Sequence, residues 1–180
     1  LGLMQLASGQ AGYFTTPEAA GHGVSPQTLR YRVSSGLVER VLRGVYRFVV
    51  VPPTEQDELI ALWLWSGREG VFSHVTALAL YELSDVMPAR IHMTVPRASR
   101  YVRTSKPRHV TVHVGSLPET AIQWVGHVPV TIPRRTIRDC IDAHVEPEMV
   151  TQAIAEARQR KLITLAEARL LRPQRKGMQR

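Results

Sequence analysis

In the N-terminal quarter of the chain, the pattern of apolar and polar positions predicts two helices followed by a β-hairpin. Thr16-Pro17-Glu18 predicts a helix start, with a hydroxyl cap, a proline at the first helical position and an acid near the positive end of the helix dipole. Ser25-Pro26 predicts a second start, and Gly36 is expected to end that helix in a left-handed conformation. Two strands and a tight turn are predicted to follow, at Leu37–Val41, Val45–Phe48 and Arg43-Gly44. This order is typical of a winged helix-turn-helix.

The two faces of the second predicted helix differ in chemistry. Leu29 and Val33 are four residues apart and share the face that we expect to be buried. The opposite side carries hydrogen-bonding and cationic side chains, which suit base edges and phosphates in a major groove. With neighbouring positions on the first helix and the hairpin, the predicted DNA-binding residues are Thr16, Gln27, Thr28, Arg30, Tyr31, Arg32, Ser34, Arg40, Arg43 and Arg47. A helix-turn-helix that only docks other proteins is the alternative.

Charge and composition favour a polyanionic partner and no membrane. The net charge is +8, from 23 lysines and arginines against 15 acidic residues. No apolar run reaches the roughly 20 residues of a membrane span. The first twelve residues lack the basic and long apolar regions of a signal peptide, so we expect a helix that packs under the helix-turn-helix. A single cysteine, Cys140, excludes an internal disulfide and is compatible with the cytoplasm, where we expect the protein to act.

The remaining three quarters of the chain mix helical and strand patterns. Two prolines near residue 52 predict a boundary, which gives a domain over 1–51, a second over 54–172 and a basic tail over 173–180. In the second domain, helices are predicted at 55–65, after Ser73, at 134–143, at 147–161 and after the capping box Thr164–Glu167. Strands are predicted at 89–95, 109–114 and 127–132. The predicted fold class is therefore α+β, an N-terminal winged helix-turn-helix followed by a small mixed α/β domain.

A second basic segment runs from Pro96 to His109 without an acidic residue. Between two predicted strands it is expected to be an exposed loop, which could follow a phosphate backbone or could simply be solvated. The helix start at 134–135 could extend the same positive surface. The candidate additional phosphate contacts are Arg97, Arg100, Arg103, Lys106, Arg108, Arg134 and Arg135.

Several groups of residues have the chemistry for catalysis or metal binding, but their spacing and their neighbours do not favour either function. His109 and His113 would share one strand face about 13 Å apart, too far to chelate one metal together, and are expected to be surface histidines. Asp139 and Asp142 share a helix face, but adjacent arginines favour an ion-pair cluster, and Cys140 is expected in the core. The chain has neither a G-x-S-x-G elbow nor a Walker-type glycine loop. We therefore predict no catalytic residue, no metal and no cofactor, and a protein that is not an enzyme.

Three segments resemble the AbiEi-type antitoxins of type IV toxin–antitoxin systems, which act in abortive infection. The first is the N-terminal pattern that includes Gly23-Val24-Ser25, Gly36-Leu37 and Arg43-Gly44-Val45-Tyr46. The second, Phe72–Leu78, is similar to the S-x-x-S/T-A-L helix that opens the second domain of that family. The third, Val130–Asp139, is similar to its v-t-x-P-x-R-T-l-x-D junction between a strand and a helix.

The resemblance implies an antitoxin that represses its own operon. Its partners would be double-stranded DNA, at inverted repeats of its own promoter, and a cognate nucleotidyltransferase-type toxin that it counteracts without a stable complex. It would be a monomer in solution. A binding module for the toxin or for RNA, with the winged helix as a scaffold, is the alternative function. A nuclease is a third possible function, but the sequence lacks the catalytic pattern of acidic residues and lysine that argues for one.

Overall fold

A computed structural model of the protein describes residues 2–85, 87–99 and 106–171. Over these residues the fold is mixed α+β, as predicted, with eight α-helices and eight strands in two sheets. The chain divides into two compact units. The first contains the described residues up to Gly70 together with 126–128, and the second contains the rest.

The first unit is built from four helices and a three-stranded sheet. The helices are α1 (Gly2–Ser8), α2 (Thr16–Gly21), α3 (Pro26–Ser34) and α4 (Asp57–Trp65). The strands are β1 (Tyr13–Thr15), β2 (Val38–Leu42) and β3 (Val45–Phe48). They lie in the order β1-β3-β2, and both pairs are antiparallel. The short strand β1, which the pattern did not predict, makes the hairpin part of a sheet.

Local capping fixes where α2 and α3 begin. The cap of α2 is Thr15 and not Thr16, because Thr15 Oγ1 accepts from the Glu18 N–H while the Glu18 carboxylate accepts from the Thr15 N–H at 2.7 Å. This reciprocal pair is a capping box, and it moves the predicted cap by one residue. Ser25 caps α3 as predicted, with its Oγ 3.1 Å from the Thr28 nitrogen. Gly36 follows α3 at φ +74°, which confirms the predicted left-handed end.

One core cluster of the first unit lies between α1, α2 and α3 and one face of the sheet. Leu3 and Ala7 of α1 are buried there, which confirms that the N-terminal segment is a helix packed under α2 and α3. Phe14 is fully buried and contacts Phe48, with ring centroids 4.9 Å apart. The other buried members of this cluster are Ala19, Val24, Leu29 and Val38.

Helix α4 forms part of the first unit because it packs against all three strands of the sheet. Its residues Ile60, Ala61 and Leu64 are almost completely buried. The compact unit therefore extends to Gly70, past the boundary predicted at 51–54, since α4 covers a sheet that would otherwise expose apolar surface.

The second unit contains four helices and a five-stranded sheet. The strands are β4 (Val71–Phe72), β5 (Ile91–Val95), β6 (Val110–Val114), β7 (Ile122–Val125) and β8 (Val128–Thr131). The helices are α5 (His74–Leu80), α6 (Pro133–Asp142), α7 (Pro147–Gln159) and α8 (Leu165–Leu170). The predicted strands and helices are confirmed to within a few residues, and the capping box at Thr164 and Glu167 is formed. The short strands β4 and β7 were missed.

Strand pairing in this sheet sets the positions of several polar side chains. The order is β6-β5-β4-β8-β7, with β5 antiparallel to β4 and parallel to β6. In this register Thr94 of β5 lies beside His113 of β6, and His92 lies beside Thr111. The largest fully buried side chains of the unit include Phe72, Leu78, Leu83, Met93 and Ile137.

In the part of the chain that the structure describes, none of the helices has the length and apolar character needed to cross a membrane.

Candidate nucleic-acid interface

One concave surface of the first unit is formed by α2, α3 and the β2–β3 hairpin. Its lining residues are Thr16, Pro26, Leu29, Arg30, Val33, Ser34, Arg40 and Tyr46. The fold thus brings together four of the predicted DNA-binding residues, which come from three different elements of the chain: Thr16, Arg30, Ser34 and Arg40.

Helix α3 has the two predicted faces. Leu29 is 5% exposed, and Val33 packs against the core cluster. Tyr31 is 69% exposed. The other exposed polar side chains of the helix are Gln27, Thr28, Arg30 and Ser34, whereas Arg32 is half-buried. The exposed face can therefore present an amide, a guanidinium and a phenol to a ligand without moving the core face.

The hairpin tip is fixed against the start of α2. The Thr16 backbone N–H donates to the Gly44 carbonyl at 3.0 Å, and Gly44 adopts φ +78° in the turn. The tip carries Arg43, and β2 carries Arg40, and both side chains are exposed. Two cations thus lie on an anchored hairpin next to α3, a suitable arrangement for phosphate contacts.

Arg47 was predicted to contact phosphate, and the structure places it elsewhere. It is only 8% exposed, and its guanidinium donates to Glu39 Oε1 at 2.7 Å and to the Val51 carbonyl at 2.6 Å. Its Nε lies 3.7 Å from a carboxylate oxygen of Asp57, the first residue of α4. Because side chains alternate along a strand, Arg47 and Arg40 belong to opposite faces of the sheet. The face of Arg47 is covered by α4, so the prediction was wrong for this residue.

The segment that forms this surface matches a known family model. Residues 3–49 match the model described as transcriptional regulator, AbiEi antitoxin. This segment is similar to the AbiEi antitoxins.

The match to the AbiEi model confirms the resemblance that the sequence suggested, over 47 of the 180 residues. It contains every residue of the concave surface, and α4 and the second unit lie outside it. A search of the curated proteins finds no significant match. Among solved structures, the crystal structure of the RV2827C protein from Mycobacterium tuberculosis is similar at 16% identity, with a TM-score of 0.47, over 92% of this chain and 78% of that chain.

The second basic segment, beyond the AbiEi match, is described only at its two ends. Arg97, Lys106 and Arg108 are exposed. The predicted contacts Arg100 and Arg103 lie outside the described residues. The described ends are therefore accessible to an anion.

The two arginines at the start of α6 are paired with carboxylates. Arg135 Nε donates to Asp139 Oδ1 at 2.7 Å, which confirms the predicted ion pair, although Asp139 is buried and not on the helix surface. Arg134 lies 3.7 Å from Glu167 of α8. Both arginines already have a carboxylate partner, so a phosphate would compete with Asp139 and Glu167 for their guanidinium groups.

Three histidines of the second unit meet in a cluster that the sequence did not predict. His74, His92 and His113 each offer a ring nitrogen within 4.8 Å of the others. His113 was expected on the surface, but it is half-buried, whereas His109 is exposed and is not part of the cluster. Burial lowers the pKa of His74 to about 3 and that of His92 to about 4, and the neighbouring His113 adds to both shifts. Burial also lowers the pKa of His113, so all three imidazoles are neutral near pH 7.

Proposed function

We propose that this protein is a DNA-binding antitoxin of the AbiEi type that represses its own toxin–antitoxin operon. The observation that carries the proposal is the single concave surface shared by Arg30 of α3 and Arg40 of the hairpin. In this proposal β1 to β3, with α2 and α3, form a winged helix-turn-helix, with α3 as its recognition helix and the β2–β3 hairpin as its wing.

The two elements have different tasks in the proposed complex. A major groove about 12 Å wide admits α3, whose Arg30 can donate two hydrogen bonds to guanine and whose Gln27 can pair with adenine. Arg40 and Arg43 on the hairpin contact phosphates, which position the protein but carry no sequence information. The net charge of +8 adds a long-range attraction to duplex DNA.

The target and the second partner follow from the family resemblance. The target is a set of inverted repeats in the protein's own promoter, which two copies of a monomeric protein would occupy in the cytoplasm. The toxin is a nucleotidyltransferase encoded next to the antitoxin gene, and it is counteracted without a stable complex. The family model describes both a regulator and an antitoxin, which supports pairing these two activities in one chain.

The proposal is tested by titrating the full-length protein with its own promoter fragment and with a random duplex across a series of salt concentrations. Arg30→Met should weaken binding to the promoter by about 1–3 kcal/mol and leave binding to the random duplex nearly unchanged. Arg43→Met should weaken both complexes and reduce the slope of log K against log salt by about 0.9, the value for one lost phosphate contact.

The matched control is Arg158→Met, which removes the same charge from an exposed position of α7 in the second unit. If Arg158→Met reduced affinity as much as Arg43→Met, net charge rather than the concave surface would explain the binding. If Arg30→Met bound both duplexes as the native protein does, α3 would not be the recognition helix.

Coexpression of the full chain with the toxin gene separates repression from antitoxicity. The variant with both Arg30→Met and Arg43→Met should lose repression of a promoter reporter and still protect the cells. A native protein that protects the cells and binds RNA or toxin but not the promoter would instead support the scaffold alternative.

A further inference from the structure

We propose that His74, His92 and His113 form a binding site for one divalent transition metal ion, with Zn²⁺ as the expected occupant. The site would lie in the second unit and would not depend on the proposed DNA binding. Strand pairing brings its three residues, which are distant in the sequence, to one place.

The topology supplies each histidine from a different element. The Ser73 N–H donates to the His92 carbonyl at 3.1 Å, so the chain leaves β4 beside His92 and places His74 at the start of α5. His113 lies on β6, next to Thr94 in the parallel register. His74 adopts φ +53°, a left-handed conformation that few non-glycine residues adopt. The three imidazoles are thus held by the backbone of a helix and two strands rather than by a loose loop.

One nitrogen–nitrogen distance is close to that of a tetrahedral metal site, and all three ligand atoms lie within 4.8 Å of one another. Two imidazole nitrogens bound to one Zn²⁺ at 2.0–2.1 Å lie about 3.3 Å apart. His92 Nδ1 and His113 Nε2 are 3.0 Å apart and share one hydrogen. The ring of His74 stacks on His113, with centroids 3.6 Å apart and planes at 14°. A metal ion would take the place of the hydrogen between His92 and His113 after one of these rings changes its tautomer. The His74 ring would tilt so that its nitrogen lone pair points to the same metal position.

A second set of contacts orients His74. Its Nδ1 lies 2.9 Å from Ser73 Oγ, and Ser73 Oγ lies 2.8 Å from Thr94 Oγ1. Both hydroxyl groups are buried. Metal-binding histidines usually form such a hydrogen bond through the nitrogen that does not bind the metal. The bond occupies Nδ1 and leaves Nε2 of His74 as the metal ligand.

The ligand set indicates which ions fit. Imidazole suits Zn²⁺, Cu²⁺ and Ni²⁺, whereas Mg²⁺ and Ca²⁺ prefer oxygen ligands. Three protein ligands leave a fourth position for water or another donor. Three nearby cations act electrostatically on the histidines, Arg135 on His74, Arg90 on His92 and Lys106 on His113, and Arg135 is paired with Asp139 at 2.7 Å. Their charge favours an anionic fourth donor such as hydroxide.

The test uses the full-length protein, stripped with a chelator and titrated with Zn²⁺ against a competing indicator dye and separately with Co²⁺. The native protein should bind one ion per chain, and Co²⁺ should give the visible absorption of a tetrahedral site. His113→Asn should lower the Zn²⁺ affinity at least a hundredfold, and Ser73→Ala should lower it about 10- to 100-fold by releasing His74.

His144→Asn is the control, because it makes the same substitution at an exposed histidine outside the cluster. Circular dichroism establishes that each variant is folded, and His92→Asn replaces His113→Asn if the latter is not. A native protein that binds Zn²⁺ no more tightly than the folded ligand variant overturns the proposal. Equal losses in His144→Asn and His113→Asn would overturn it as well.

Discussion

Replacing Arg47 by methionine distinguishes a structural arginine from a DNA-binding one. Methionine replaces the aliphatic part of arginine and packs well in irregular apolar surroundings, so the substitution removes the charge and the donors but keeps the apolar contacts of the side chain. Arg47 is bonded to Glu39 and to the Val51 carbonyl and lies near Asp57. These partners come from β2, from the chain after β3 and from α4, so Arg47 joins three parts of the first unit.

The expected loss of stability follows from these contacts. Each hydrogen bond to a charged group contributes about 1.5–3 kcal/mol, and removing one partner of a buried ion pair costs about 3–5 kcal/mol. The Glu39 side chain is 51% exposed and can regain water, whereas the Asp57 side chain is only 22% exposed and loses a nearby cation. The lower end of the range therefore applies, and we expect a loss of about 3 kcal/mol. Such a loss is a large part of the 5–15 kcal/mol that stabilises a typical domain.

Urea unfolding followed by tryptophan fluorescence measures this loss, because Trp63 and Trp65 lie on α4. DNA titration of the folded Arg47→Met variant should give the affinity and salt slope of the native protein. Arg43→Met should show the reverse, with stability changed by no more than about 0.5 kcal/mol and DNA binding weakened. If Arg47→Met kept native stability and lost DNA affinity with a flatter salt slope, our assignment of Arg47 would be refuted.

Two further predictions concern a partly buried carboxylate and a buried thiol. Burial alone would raise the pKa of Glu18, but its bonds with Thr15 and Arg68 outweigh that effect and lower it. Its carboxylate therefore stabilises the fold above about pH 4.5, and Glu18→Gln should cost about 1–2 kcal/mol at pH 7. Urea unfolding should show this difference shrinking as the pH falls below about 4.5, and a constant difference would contradict the linkage. Burial raises the pKa of the Cys140 thiol to about 12. A disulfide reagent at pH 8 should therefore label Cys140 only after urea unfolds the protein. Rapid labelling of the folded chain would contradict this prediction and would show that the core around Cys140 opens.

The first unit was largely predictable because its signals are local. Ser25, Leu29 and Gly36 specify one helix through a cap, a buried face and a left-handed end, all within twelve residues of the chain. The error at Arg47 came from a longer-range effect. Pairing across the turn places Glu39 opposite Arg47, and this could have been counted from the sequence. That α4 covers this face of the sheet could not have been predicted, because the prediction of a helix at 55–65 does not say which surface the helix packs on.

The histidine cluster marks the limit of reasoning from local pattern. His109 and His113 were compared because they are near one another in the sequence, and along one strand they cannot meet. The residues that do meet His113 are His92, which is 21 positions away, and His74, which is 39 positions away. Their encounter depends on a parallel register between β5 and β6 and on the missed two-residue strand β4. Parallel strands are joined by long connections that leave their register open in the sequence. A site built across such strands therefore becomes visible only when the pairing is known. The proposed metal site is absent from the sequence prediction for this reason, whereas the proposed DNA-binding surface, built on α3 and one hairpin, is present in it.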